Sequence, residues 1–301
     1  RMPKMTSGEF TEKTVTILNE ASIEDARFIC ILLLEKVTSG QYDPSYELSA
    51  DQISELEELL IRVLKNEPVA YIVGKRDFYH DSFKVTPAVL IPRSDSEIII
   101  ETALAFLGLN DFMTGDLLNV PKTEISGPVR FADICTGSGC LGIALANDLF
   151  RKKRSVSGVL TDISGDALEV AGFNIENSAL DKDSLSVLKY DVLKEDLLEG
   201  KFDLIISNPP YVKTSEMLEL PDDVRFEPSG ALEAGSDGMR FYPVIAKAAM
   251  EHLSENGMLI FEHGFEQGEP VRNVLTALGF KDVMTIKDYG GNDRVTIGRI
   301  S

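Results

Sequence analysis

The stretch "VRFADICTGSGCLGIALA", residues 129–146, runs an apolar segment into a glycine-containing turn and straight out into a second apolar segment. Residues 129–134 predict a buried strand and 140–150 a helix, so the chain must change direction within "CTGSG". Gly137 and Gly139 permit a tight turn there and let the backbone approach a ligand. No "GKS" or "GKT" follows, which argues against a phosphate-gripping loop. Gly137, Gly139 and Gly142 do spell G-x-G-x-x-G. Taken alone, the turn is therefore open to three readings: a dinucleotide site, an S-adenosylmethionine pocket, or a purely structural turn.

Working outward, "VSGVLTDI" (156–163), "LSVLKYDV" (185–192) and "KFDLIISN" (201–208) predict further strands, with a helix over 165–178. Such alternation favours a mostly parallel sheet covered on both faces. In open sheets of that kind ligands bind beyond the carboxyl ends of the strands. Asp133, Asp162 and Asp191 all stand at predicted strand ends, on one rim. A carboxylate at Asp162 suits a pair of ribose hydroxyls, and Asp191 or a neighbouring amide suits an adenine edge. A lone strand-end aspartate is ordinarily a turn or cap residue; three in succession weaken that reading.

The fourth predicted strand ends in "NPPY", Asn208 to Tyr211. The prolines cannot donate backbone hydrogen bonds and restrict the local path, which leaves the Asn208 amide and the Pro209 carbonyl free to face a cavity. Two such oxygens accept both hydrogens of a planar NH2 group, and Tyr211 can stack on its plane. Methyl transfer to an amide or exocyclic amine makes these demands, because the nitrogen must be held in line with the departing group. Standing alone, the four residues read as a double-proline strand terminator.

Before the sheet, residues 11 to about 74 read as helical. "SIEDARFICILLLEKV" opens with Ser22 three before Asp25, a helix-start pattern, and puts Ala26, Ile29, Leu33 and Val37 near one face. In "SADQISELEELLIRVLKNEP" Ile53, Leu56, Leu60, Val63 and Leu64 form a stripe that Pro68 is expected to end. Residues 77–100 are rich in β-formers, and Phe83, Val85 and Val89–Ile91 predict a hairpin. Residues 110–128 read as a surface loop with no core role.

The 301 residues carry a formal charge of -19, which disfavours broad capture of a nucleic-acid backbone. No apolar run approaches a membrane span, and "RMPKMTSGEF" lacks an apolar signal core, so a soluble intracellular protein is expected. Cys30, Cys135 and Cys140 suit reduced thiols, and His80, His252 and His263 lack zinc-ligand spacing. The basic run "RKKR" (151–154) reads as a solvated helix end, and His263 as a buried hydrogen-bonding residue.

Taken together, "YIVGKRDFYHDSFKVTPAVLIPRSDSE" (71–97), "DICTGSGCLGIALA", "FDLIISNPPYV", "VRFEPSGALEAGSDGMRFYPVI" (224–245), "FEHGFEQG" (261–268) and "DYGGNDRVTIGR" (288–299) resemble the HemK/PrmC family of protein-(glutamine-N5) methyltransferases. "NPPY" alone also resembles amino-group methyltransferases acting on nucleic acid; its combination with "RFEP", "EHG" and "LIPR" is far more specific. The resemblance implies an α/β class I S-adenosylmethionine-dependent methyltransferase fold with a mostly parallel seven-stranded sheet, plus a small amino-terminal helical domain. It divides the chain into a helical substrate-recognition domain (1–74), a hairpin and connection (75–100) and the methyltransferase domain (101–301).

The resemblance also implies S-adenosyl-L-methionine as donor, with S-adenosyl-L-homocysteine as product and no metal. The implied substrates are class 1 peptide chain release factors, methylated on the glutamine of a Gly-Gly-Gln tip. Asp133, Thr136, Gly137, Ser138 and Gly139 would surround the cofactor, with Asp162 at its ribose and Asp191 near its adenine. Asn208 and the Pro209 carbonyl would hold the substrate amide, with Pro210 shaping the motif and Tyr211 at the entrance. Phe78, Arg93, Arg225 and Glu227 are candidates for the substrate pocket. A cytoplasmic monomer without stable nucleic-acid or membrane association is expected. The competing readings are a nucleic-acid adenine-N6 or other exocyclic-amine methyltransferase, and a noncatalytic cofactor-binding protein. Cys135 stands where the family often has glycine, which bears on the turn and on cofactor affinity.

Overall fold

A computed structural model describes residues 5–110, 115–194 and 198–301. The chain forms two compact units, residues 1–75 with 221–226, and residues 76–220 with 227–301. Among the described residues no helix is long and apolar enough to cross a membrane.

The first unit holds helices α1 (Ser7–Glu20), α2 (Ala26–Thr38), α3 (Ala50–Leu64) and α4 (Val69–Val73). Reciprocal caps start two of them: Thr6 with Glu9 on α1, and Ser49 with Gln52 on α3. Each satisfies two backbone donors that a helix start leaves unpaired. The helices bury a separate core that includes Phe10, Leu18, Leu33, Leu34, Leu56 and Leu60. Two expectations fail here. Ser22 does not cap α2: it has φ 59°, and Asp25 at φ 57° precedes the helix without a side-chain cap bond. Pro68 does not end α3, which stops at Leu64; Pro68 instead immediately precedes α4, where its missing N–H costs nothing.

The second unit opens with a hairpin of β1 (Lys75–Phe78) and β2 (Asp81–Lys84), followed by α5 (Glu97–Phe106). There follow β3 (Val129–Ile134), α6 (Cys140–Arg151), β4 (Val156–Asp162), α7 (Gly165–Glu176), β5 (Leu185–Lys189) and β6 (Phe202–Ser207). The last elements are α8 (Tyr242–His252), β7 (Leu253–Glu262), α9 (Gly268–Leu278), β8 (Lys281–Lys287) and β9 (Asp293–Arg299).

Seven of these strands make one sheet in the order β5-β4-β3-β6-β7-β9-β8. The first five pair in parallel and β9 runs antiparallel to both β7 and β8, so the expected mostly parallel seven-stranded sheet is present. Alternate residues point to opposite faces. On β3, Val129 and Phe131 join one core cluster and Ala132 and Ile134 the other; on β7, Met258 and Ile260 divide from Leu259 and Phe261 in the same way. Helices α5 and α6 cover the first face, and α8 and α9 the second.

Several local expectations change. The hairpin uses Lys75–Phe78 and Asp81–Lys84, and Val89–Ile91 is not a strand. Strand β5 ends at Lys189, before Asp191. Of the 110–128 segment, 111–114 lie outside the described residues, and Gly115–Asn119 form a 3-10 turn. Leu117 and Val120, three apart, come onto one side of that turn and enter the main core, so the segment is not a plain surface loop.

The sheet order grows one way from β3 to β4 and the other way from β3 to β6. A crevice must open where the connections diverge, at the carboxyl ends of β3 and β6. That position collects the glycine turn and the "NPPY" segment.

Candidate active site

A cavity of about 280 Å³ lies at this switch point. The turn after β3 supplies Cys135, Thr136, Gly137 and Ser138; the end of β4 supplies Asp162, Ile163 and Ser164; Asn208 and Pro210 follow β6. The remaining wall comes from Ala88, Val89, Leu90, Pro92, Arg93 and Ser96, from Cys140, Leu141 and Ala167, and from Pro228, Gly230, Ala231 and Phe241. Three strand ends that are distant in sequence thus converge on one volume.

The turn is held from beneath. Asp133 is fully buried and does not line the cavity, contrary to its expected cofactor contact. Its Oδ2 accepts from Thr136 Oγ1 at 2.6 Å and from the Gly142 N–H at 3.1 Å. Burial pushes its carboxyl pKa up to about 7, and Oδ1 lacks a hydrogen-bond partner. The parity of β3 explains this: Asp133 shares the face of Val129 and Phe131 and points under α6.

Gly137 has φ 56° and faces the cavity, as expected. Gly139, at φ 82°, does not face it. A Cβ there would stand 2.9 Å from Ile143 Cδ1 and 3.2 Å from both Ala171 Cβ and Leu160 Cδ2, so this glycine lets α6 pack closely on α7 and β4. Cys135 also adopts a left-handed conformation, φ 63°, the one for which glycine is best suited. Its thiol lies beside Asp162 and Asp133, and burial raises its pKa far out of the range of a reactive thiolate.

Asp162 is on the cavity wall. Its two oxygens accept from the N–H groups of Gly137 and Ser164, each at 2.9 Å. It therefore ties the glycine turn to the end of β4, and each oxygen keeps a lone pair for a ligand. Burial raises its pKa, and those backbone donors oppose the shift. Asp191 is off this wall: its Oδ1 accepts from the Leu193 N–H at 3.1 Å and its Oδ2 pairs with Lys194 at 3.2 Å, closing the turn after β5.

After β6, Asn208 and Pro210 of "NPPY" line the cavity, while Pro209 and Tyr211 are not part of its lining. Asn208 Nδ2 donates to Ser96 Oγ at 3.5 Å, an orientation that leaves Oδ1 free as an acceptor. Tyr211 packs into the second core cluster instead of the entrance, and its carbonyl accepts from Gln267 Nε2 at 3.2 Å.

The wall at residues 88–93 is anchored by Glu227, whose side chain is 1% exposed. Glu227 accepts from the Ile91 N–H at 3.0 Å and pairs with Arg93, so it braces the wall from behind while Arg93 lines the cavity. Glu227→Ala strands the buried Ile91 N–H and is expected to lower stability by about 1–3 kcal/mol, read as a shift in the denaturant midpoint at unchanged slope. Phe78 is a core residue, edge-on to Phe83 at 6.2 Å between ring centres, and forms no part of this cavity. Arg225 belongs to the first unit, where it lies 3.3 Å from Asp222. Residues 88–90, Pro92, Ser96, Pro228, Gly230, Ala231 and Phe241 carry no chemical signature of their own, and only folding reveals them as lining.

His263 is structural. Its Nδ1 lies 2.9 Å from the Gly264 carbonyl and its Nε2 2.8 Å from Thr296 Oγ1, and burial pulls its pKa down to about 4. The unfolded chain binds this proton near pH 6.5 and the fold does not, so His263 costs stability as pH falls from about 6.5 to 4. Buried Asp133 and Glu262, both raised to about 7, act with the opposite sign over that range. His263→Gln should therefore remove this one acid-linked cost, so that from pH 7 to pH 4 the variant's stability changes more favourably than the unaltered protein's by on the order of 3 kcal/mol.

Known proteins match this arrangement over most of the chain. The family profile described as PrmC N-terminal domain matches residues 9–74, and that described as methyltransferase small domain matches 111–221. The release factor glutamine methyltransferase of Vibrio cholerae is 37% identical over 279 residues, covering 92% of this chain and 89% of the relative. That of Haemophilus influenzae is 34% identical, with 91% and 92% covered. The chain belongs to the release factor glutamine methyltransferase family. A third member, from Fusobacterium nucleatum, is 36% identical over 262 residues, 86% of this chain and 68% of its own. Membership makes the chain an S-adenosylmethionine-dependent methyltransferase, and the cavity suits that cofactor. A glycine turn at positive φ gives backbone approach, Asp162 offers acceptors at a strand end, and the lining contains no lysine to grip a phosphate.

Proposed function

We propose that this protein methylates the side-chain nitrogen, N5, of the glutamine in the Gly-Gly-Gln tip of class 1 peptide chain release factors. When bound, S-adenosylmethionine supplies an electrophilic methyl group on a sulfonium. The protein's residues orient and stabilise. Gly137 and the backbone around it would border the methionine part, and Asp162 would accept the ribose hydroxyls. The turn at Asp191 would approach the adenine from the next strand end, since Tyr190 N–H already donates to the Asp162 carbonyl at 3.0 Å.

Asn208 Oδ1 and the Pro209 carbonyl would accept the two amide hydrogens of the glutamine. An amide lone pair is delocalised into its carbonyl, so the nitrogen becomes nucleophilic only as that overlap weakens. Acceptors fixed on its hydrogens stabilise the positive charge that grows on nitrogen in the transition state. The excess proton then leaves. The observation that carries this reading is Asn208 on the cavity wall at the switch point, with its NH2 committed to Ser96 and its oxygen open.

The helical unit of residues 1–75 would help hold the large protein substrate, and the protein would act as a cytoplasmic monomer. Labelled methyl transfer tests the assignment. Incorporation is expected into a release factor, and not into one whose tip glutamine is asparagine, nor into DNA or RNA; label in nucleic acid instead would overturn it.

A further inference from the structure

Gln267, in the "FEHGFEQG" segment after β7, is a poor residue for the place it occupies. It is the N-cap of α9, where Ser, Thr, Asp, Asn or Gly is preferred, and its side chain makes no cap bond. Its carboxamide is spent instead on backbone groups of other segments. Oε1 accepts from the Gly264 N–H at 2.9 Å, and Nε2 donates to the carbonyls of Tyr211 and Gly238, each at 3.2 Å. One side chain thus joins the turn after β7, the loop before α8 and the end of "NPPY". Gly238 keeps room for it: at φ 72°, a Cβ there would stand 2.5 Å from the Tyr211 carbonyl oxygen and 2.7 Å from Gln267 Nε2.

The "NPPY" segment depends on such an anchor. Pairing of β6 with β3 and with β7 ends at Ser207, whose hydroxyl donates to the Ile134 carbonyl at 2.6 Å. Pro209 and Pro210 then have no N–H to give a neighbour. The next fixed points are the Tyr211 carbonyl, held by Gln267, and Val212, whose N–H donates to Leu232 and whose carbonyl accepts from Ala234, both at 2.8 Å. Between these ends the chain is stiff. The prolines lock their own φ and narrow the backbone choice of Asn208 and Pro209, each of which precedes a proline. A displacement at Tyr211 is therefore passed back towards Asn208 with little to absorb it.

We propose that Gln267 is a positioning residue for methyl transfer: its hold on the Tyr211 carbonyl fixes, through the stiff proline pair, where Asn208 stands in the cavity. Gln267 does not line that cavity, so it acts only through the segment it holds. In-line transfer is sensitive to placement, and an error of about 1 Å can cost on the order of 10²-fold in rate. The inference rests on the reading of Asn208 as the acceptor for a glutamine amide.

Its test is kcat and KM for a release factor, cofactor affinity and thermal midpoint, measured on the unaltered protein, Gln267→Met, Gln267→Glu, Asn208→Ala and Gln267→Met combined with Asn208→Ala. Methionine keeps the length and removes the polar atoms. Glutamate keeps the acceptor for the Gly264 N–H but sets a carboxylate against the carbonyls of Tyr211 and Gly238. Both single variants should lower kcat about tenfold and keep cofactor affinity within about twofold, with KM little changed. A residue that only supported the fold would lower the thermal midpoint and leave kcat per folded molecule as it was. On top of Asn208→Ala, Gln267→Met should cost no more than about threefold, because the group it positions is gone. If Gln267→Glu fails to fold, Gln267→Met must still show the kcat loss. Unchanged kcat in Gln267→Met, or the full loss repeated on top of Asn208→Ala, overturns the proposal. Near-normal turnover in Asn208→Ala sinks the reading of Asn208 itself, so the two failures are distinct.

Discussion

Asn208→Ala is expected to lower kcat for release-factor methylation by about 10²–10³-fold, the range seen when one preorganised group that meets transition-state charge is removed. Cofactor affinity should change little. Asn208 reaches the cavity from the end of β6, whereas the cofactor loop is built independently by Asp133 beneath it and by Asp162 on the next strand. In the proposed reaction the asparagine oxygen would act on amide hydrogens that become acidic only as the methyl group arrives, so the loss would fall in kcat more than in KM. Equilibrium binding of the cofactor and single-turnover transfer to a release factor, measured on the same preparation, check both halves. Turnover within threefold of the unaltered protein would remove Asn208 from the chemistry.

The second large effect concerns folding. Gly139→Ala places a Cβ within 2.9 Å of Ile143 and 3.2 Å of Ala171 and Leu160, in a backbone at φ 82°. Left-handed strain contributes about 1 kcal/mol and overpacking of a close-packed core about 1–3 kcal/mol, for a total loss of roughly 2–4 kcal/mol. Because Gly139 precedes α6 and its N–H donates to the Thr136 carbonyl at 2.9 Å, the relaxation runs into the loop that faces the cofactor. Weaker cofactor binding should accompany a lower denaturant midpoint. Gly137→Ala is the contrast: no heavy atom lies within 4 Å of its would-be Cβ, so only the strain at φ 56° opposes it. A Gly139→Ala protein as stable as Gly137→Ala would show that helix packing is not what this glycine serves.

The sheet was legible because its signals are local and redundant. Apolar runs of six or seven residues, alternating with helical patterns and ending on aspartates, leave few architectures open. The same locality misled at four points. Ser22 and Asp25 have the spacing of a helix start, yet both sit at positive φ in a turn and neither caps α2. Val89–Ile91 looks like a strand because its residues are β-formers, but Val89 and Leu90 line the cavity and Ile91 is tied back by Glu227. Leu117 and Val120 looked expendable in a polar stretch, since burial by a distant partner leaves no periodicity to read. Phe78, a candidate for the substrate pocket as well as for a core aromatic pair, is packed in the core against Phe83.

Within the site, residue chemistry was readable and residue direction was not. The types at Asp133, Asp162, Asp191 and Asn208 mark strand ends on one rim, a consequence of chain order alone. Whether a strand-end carboxylate enters the cavity depends on parity and on what its oxygens already hold. Asp133 turns under α6, Asp191 closes its own turn, and Asp162 remains on the wall. The sequence by itself determined the parallel sheet, the glycine turn and the "NPPY" strand ending, because each is encoded in neighbouring residues. Only the tertiary structure decided that Ser96 stands beside Asn208, and that Glu227 braces the wall. Those contacts join residues more than fifty positions apart, and the only force that selects them is the closing of the sheet around its core.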